Sequence, residues 1–115
     1  MLESKNMSDY VIYDEENFVK RVLYADDNLL SFVLNFKAGQ TLPSHKHEES
    51  TLVLSVLSGS GTVRVNGQDS PLNEGVVIKA DGQDDFEIPE VTEDLSVFVN
   101  IGPNPTDIRY AQDIG

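Results

Sequence analysis

Apolar residues in this chain recur with a period of two, in short runs cut by turn residues, and nowhere with a sustained period of 3.6. Period two is the spacing at which side chains of an extended strand share a face, so the pattern commits the chain to β-structure. Leu30, Phe32, Leu34 and Phe36 form such a stripe within a strand expected over 29–37. Further strands are expected over 19–24, 52–57, 62–65, 76–78 and 95–101, with Phe86 and Ile88 sharing a face before Pro89. Asp26, Asp27 and Asn28 supply side chains that bond their own backbone in a turn, and Asn66-Gly67 is a strong hairpin signal. Ser58-Gly59-Ser60-Gly61 reads as a turn between two strands. It opens no helix and so is not a phosphate cradle. The one helical turn the pattern allows falls near 14–18, and Tyr10-Val11-Ile12-Tyr13 reads as a strand-forming run without a partner. Many short strands at close intervals imply an antiparallel sandwich or barrel.

At 115 residues the chain suits one domain, 1–115, with a barrel core over roughly 18–101 and flanking segments at 1–17 and 102–115. Twenty acidic against eight basic residues give a net charge of −12, with no basic stripe, so no nucleic-acid or anionic-membrane footprint is expected. The absence of cysteine removes disulfides, thiolate zinc sites and thiol nucleophiles. The first residues carry no apolar core of a signal peptide and no run reaches a membrane span, so a soluble, cytoplasmic protein is expected. The only histidines are His45 and His47, and any chemistry needing three from one chain is excluded.

The stretch from Gly39 to Gly59 reads GQTLPSHKHEESTLVLSVLSG. A glycine, five residues, H-x-H and a hydrophobic strand closed by glycine resembles the first motif of the cupin superfamily, G-x5-H-x-H-x3,4-E-x6-G. The region from Gly75 to about Glu90 lies where that family's second motif falls. The resemblance implies an all-β fold, a double-stranded β-helix of the jelly-roll type, with its site inside the barrel mouth. It also implies a two-fold homodimer, for which Tyr10 to Tyr13 would supply an exchanged strand.

Two of the family's four metal positions differ. The motif glutamate falls on Thr51 or Leu52, and the second-motif histidine falls on Phe86, or on Asp85 in a register shifted by one. Strand alternation turns Phe86 inward beside Ile88 and Asp85 outward. If the extended conformation persists past the histidines, His45, His47 and Glu49 share one face. Two imidazoles and one carboxylate would hold a divalent transition metal, Fe, Ni, Zn or Mn, with open positions for substrate. Glu48 and Asp85 are the alternative carboxylates. Two functions are therefore expected. One is a binding cupin that takes a small molecule in the barrel beside an atypical or vestigial metal site. The alternative is a metal-dependent enzyme of dioxygenase or isomerase type using His45, His47 and a carboxylate.

Overall fold

The computed structural model of the protein describes residues 1–47, 49–104 and 111–115. A 3-10 helix, Met7–Tyr10, precedes strands β1 (Val19–Ala25), β2 (Leu30–Phe36), β3 (Leu42–His45), β4 (Thr51–Val65), β5 (Gln68–Asn73), β6 (Val77–Ala80) and β7 (Phe86–Gly102). The named strands pair antiparallel in the order β1-β2-β7-β4-β5, with β3 on β7 and β6 on β4. This is the all-β class that the period-two pattern requires. Among the described residues no helix is long and apolar enough to cross a membrane.

Two strands are much longer than the apolar runs suggest. β4 passes through Ser58-Gly59-Ser60-Gly61 without turning, and β7 passes through Pro89 and Glu93-Asp94. The two pair from Thr51 opposite Gly102 to Val65 opposite Phe86, with register shifts between Val56 and Ser58, Ser58 and Ser60, Ser60 and Gly61, and Thr62 and Arg64. The expected turn at 58–61 is thus a series of bulges. Glycine here lets one backbone approach another rather than reverse direction. Gly59 has φ +89, and a Cβ on it would lie within 2.7 Å of the Asp94 carbonyl carbon and the Leu95 Cα. Pro89 falls beside the shift between Thr62 and Arg64, where proline costs the ladder little. The Asn66-Gly67 turn forms as expected, with φ of 50° and 79° joining Val65 to Gln68.

The inner face of β2 packs Leu30, Phe32, Leu34 and Phe36 against Leu54, Val97, Val99 and other core residues. Its outer face is buried too. The N-terminal segment lies across it: Asn35 Nδ2 donates to the Tyr10 carbonyl at 2.9 Å, and the Tyr13 hydroxyl meets Ser96 Oγ at 2.6 Å. Ser96 Oγ donates in turn to Asn35 Oδ1 at 2.7 Å. Tyr10 to Tyr13 is therefore not a strand. Its polar atoms are held by side chains of its own sheet, and the preceding turn is a 3-10 helix capped by Asn6, whose Oδ1 accepts from Ser8 N at 3.0 Å. No helix forms at 14–18. At the sheet edge, Lys20 and Ile114 exchange backbone hydrogen bonds of 2.7 and 3.0 Å, so the C-terminal residues cap β1.

Gly59→Ala combines a positive φ with backbone overlap and is expected to cost about 2 kcal/mol or more. Gly39 has φ +92 but open space for a Cβ, so Gly39→Ala is expected to cost about 1 kcal/mol. Thermal melts of the two variants check the order; equal losses would mean that the β4–β7 approach at Gly59 is not tight.

Candidate functional site

β3 begins with Leu42 opposite Ile88 and ends with His45 opposite Phe86. That register brings the His45 ring to 6.0 Å from the Phe86 ring. After His45 the chain leaves the sheet. His47 is held by its backbone N–H to the Gly82 carbonyl at 3.2 Å, and Ser50 N–H donates to the His47 carbonyl at 2.9 Å. A Cβ on Gly82 would overlap that carbonyl, so glycine is required for this close approach. The two imidazoles meet edge to face, centroids 4.5 Å apart, and His47 lies 6.5 Å from Phe86. His45 Nδ1 lies 2.8 Å from the Pro43 carbonyl oxygen, which can only accept, so Nδ1 is the donor in this contact.

The pair opens onto a cavity of about 180 Å³ whose other walls are Phe18, Lys20, Phe32, Leu34, Leu42 and Ile114. Lys20 is 5% exposed, and its ammonium lies 4.4 Å from the centre of the Phe32 ring. Burial lowers the Lys20 pKa to about 8, against the raising influence of Asp113. Burial, then His45, then Lys20 lower the His47 pKa to about 4, so His47 is neutral at pH 7.

The carboxylates expected beside the pair are not brought to it. Glu49 sits exposed in the turn at φ +68, because the strand ends before it and alternation no longer holds. Asp85 faces outward, 3.8 Å from Lys46, with its backbone N–H donating to Asn66 Oδ1 at 2.8 Å. Phe86 is the residue turned to the histidines, as the alternation with Ile88 requires. Glu48 lies outside the described residues. Among the described residues no group of three His, Cys, Asp or Glu side chains is placed to hold a metal ion. Leu52 and Phe86, 3% and 2% exposed, fill the two remaining family positions with hydrocarbon. Two imidazoles are half a tetrahedral donor set, so the described residues do not fit a complete divalent-metal centre.

Two wall residues escape sequence reasoning. Lys20 lies in the run VKRVLY, where its inward alternation with Val22 is the only clue. Ile114 has no local signal, because its position depends on the bridge to Lys20.

No family model and no curated protein matches the chain. Solved structures do. An RmlC-like cupin protein from Desulfovibrio desulfuricans is 30% identical, with a TM-score of 0.81, over 90% of this chain and 98% of that one. A protein from Thermus thermophilus is 24% identical, with a TM-score of 0.83, over 90% and 100% of the two chains. An uncharacterized conserved protein with a double-stranded beta-helix domain from Klebsiella pneumoniae is 17% identical, with a TM-score of 0.81, over 99% and 96%. The chain belongs to the cupin superfamily.

The depressed His47 pKa makes stability depend on pH. The unfolded chain protonates this imidazole near pH 6.5, whereas the folded chain resists until about pH 4. The stabilising difference is therefore complete above pH 6.5 and is lost as pH falls toward 4, on the order of 1–3 kcal/mol. Urea midpoints at pH 7 and pH 4.5 should fall farther for the parent protein than for His47→Gln. An NMR titration placing the His47 ring near pH 6.5 would overturn the assignment.

Proposed function

We propose that this cupin binds a small organic molecule in the cavity at its barrel mouth, beside a histidine pair that is a remnant of the family metal site. The observation that carries the reading is the replacement of two ligand positions by the buried side chains of Leu52 and Phe86. Hydrocarbon at these two positions removes metal donors, while the cavity beside the histidines has a wall largely of apolar side chains. The cavity is close in size to engineered apolar cavities of about 150 Å³ that take up benzene, which sets the scale of the molecule. Phe32, Leu34, Leu42 and Ile114 would enclose its apolar body.

The pairing of His45 with His47 supports a second reading, a metal-dependent enzyme whose open positions are completed from outside the described residues. Elemental analysis of untagged protein separates the two: stoichiometric Fe, Ni, Zn or Mn would carry the enzyme reading. For the binding reading, ring compounds of benzene size should raise the melting temperature of the parent protein. Ile114→Trp should abolish that rise, because it fills the cavity from an exposed position near the C-terminus and leaves the barrel intact. A rise of equal size in the variant would place binding elsewhere.

A two-fold homodimer belongs to the same proposal, supported by likeness to small cupins. Tyr10 to Tyr13 packs on its own sheet, so the dimer would use another surface. Light scattering should return twice 12.7 kDa at micromolar concentration. A mass of 12.7 kDa that does not change on dilution would reject it.

A further inference from the structure

Asn66 is the only asparagine of the chain that is followed by glycine, and it stands exposed at the tip of the β4–β5 hairpin. Three hydrogen bonds fasten it to the loop before β7. Its backbone N–H donates to the Asp85 carbonyl at 2.9 Å, its Nδ2 donates to Asp84 Oδ1 at 2.8 Å, and its Oδ1 accepts from the Asp85 N–H at 2.8 Å. The other Asp84 carboxylate oxygen accepts from the Asp81 N–H at 2.9 Å, and the Asp84 N–H donates to the Asp81 carbonyl at 3.0 Å. Asn66 thus fastens the loop 81–85, on which the histidine pair depends. Its Gly82 carbonyl takes the His47 N–H, and Phe86 follows it directly, beside the His45 ring. The turn needs positive φ at 66 and 67, which aspartate satisfies as well as asparagine. What the amide adds is a donor for Asp84.

We propose that Asn66 is a site of spontaneous deamidation, and that its conversion to aspartate or isoaspartate releases the loop 81–85 from the hairpin and loosens the seat of His47. The step consumes only water. The Gly67 amide nitrogen loses its proton and attacks Asn66 Cγ. A C–N bond forms, the Cγ–Nδ2 bond breaks, and ammonia leaves a five-membered imide. Water opens that ring at either carbonyl, and no atom is oxidised or reduced. Glycine leaves the attacking nitrogen without an adjoining side chain to shield it. Negative charge grows on Oδ1 during the attack, and the Asp85 N–H already donates to that atom. The product sets a carboxylate against the Asp84 carboxylate, where the amide had supplied a donor, and two anions so close repel. Isoaspartate also lengthens the main chain within a tight turn. Either product breaks the tie to Asp84, whether or not the cavity holds a ligand.

The intact protein and a synthetic peptide of residues 62–70 are incubated side by side at mildly alkaline pH and followed by peptide mass mapping. The protein is expected to gain the mass of an amide-to-acid exchange in the fragment that carries Asn66. The gain should be about tenfold slower than in the peptide, because the side-chain hydrogen bonds to the loop must open first. Asp84→Ala removes one of those bonds and should speed the conversion about threefold. Asp81-Gly82 can rearrange through the same imide but without a change of mass, so the gain reports asparagine alone. No gain by the time the peptide is fully converted, or a gain confined to another asparagine, would overturn the site. For the consequence, Asn66→Asp keeps the turn, and hydrogen exchange at the His47 N–H should be at least about tenfold faster than in the parent protein. Unchanged exchange in folded Asn66→Asp would overturn the release of the loop. Exchange measured on the aged parent protein gives the same comparison if the variant does not fold.

Discussion

The pairing of β4 with β7 is the constraint on which the rest of the molecule depends. Each is long enough to belong to two parts of the barrel. The first half of β4 carries β6 on its other side, and the second half carries β5. β7 carries β2 along its C-terminal half and β3 near its start. The bulges near the middle let both strands bend together while keeping Leu54, Val56 and Val63 inside. A slip of one residue would turn that set outward and bring Ser55 and Arg64 in, so the apolar pattern locks the register. Glycine at 59 and 61 is what allows the bend, because the facing backbone stands where a side chain would be.

Strand-like character, the Asn66-Gly67 hairpin and the inward set Leu30, Phe32, Leu34 and Phe36 are legible because each rests on neighbours in sequence. Continuity of the long strands is not. Ser58 to Gly61 and Pro89 carry local turn chemistry, and only the partner strand shows that the backbone runs on. The site divides in the same way. His45 and His47 sit in a recognisable glycine frame, and Phe86 follows from alternation with Ile88. Glu49 misleads because alternation is a property of extended chain, which ends at His45. Lys20 and Ile114 reach the cavity through contacts between the two ends of the chain, which no local window can show.

The cavity has an uneven character that follows from these placements. One side holds two imidazoles in edge contact, one of them oriented by the Pro43 carbonyl. Another holds an ammonium over an aromatic ring, and the remainder is aliphatic and aromatic carbon. Burial keeps His47 uncharged at pH 7, and the neighbouring His45 and Lys20 reinforce this. On the proposed binding function, polar groups confined to part of a small apolar volume would orient a bound molecule rather than coordinate it tightly.

The hydrogen bonds that run from Tyr13 through Ser96 and Asn35 to Tyr10 tie the N-terminal segment to the sheet beneath it. They make it a layer over the sheet, and β2 is consequently interior on both of its faces. A descendant that lost or exchanged this segment would inherit Asn35 and Ser96 stripped of partners on a surface selected to be dry. The segment and the barrel therefore have to diverge as one unit. β5 turns most of its side chains to solvent, whereas every side chain of β2 is buried, so substitutions should be tolerated better in β5 than in β2.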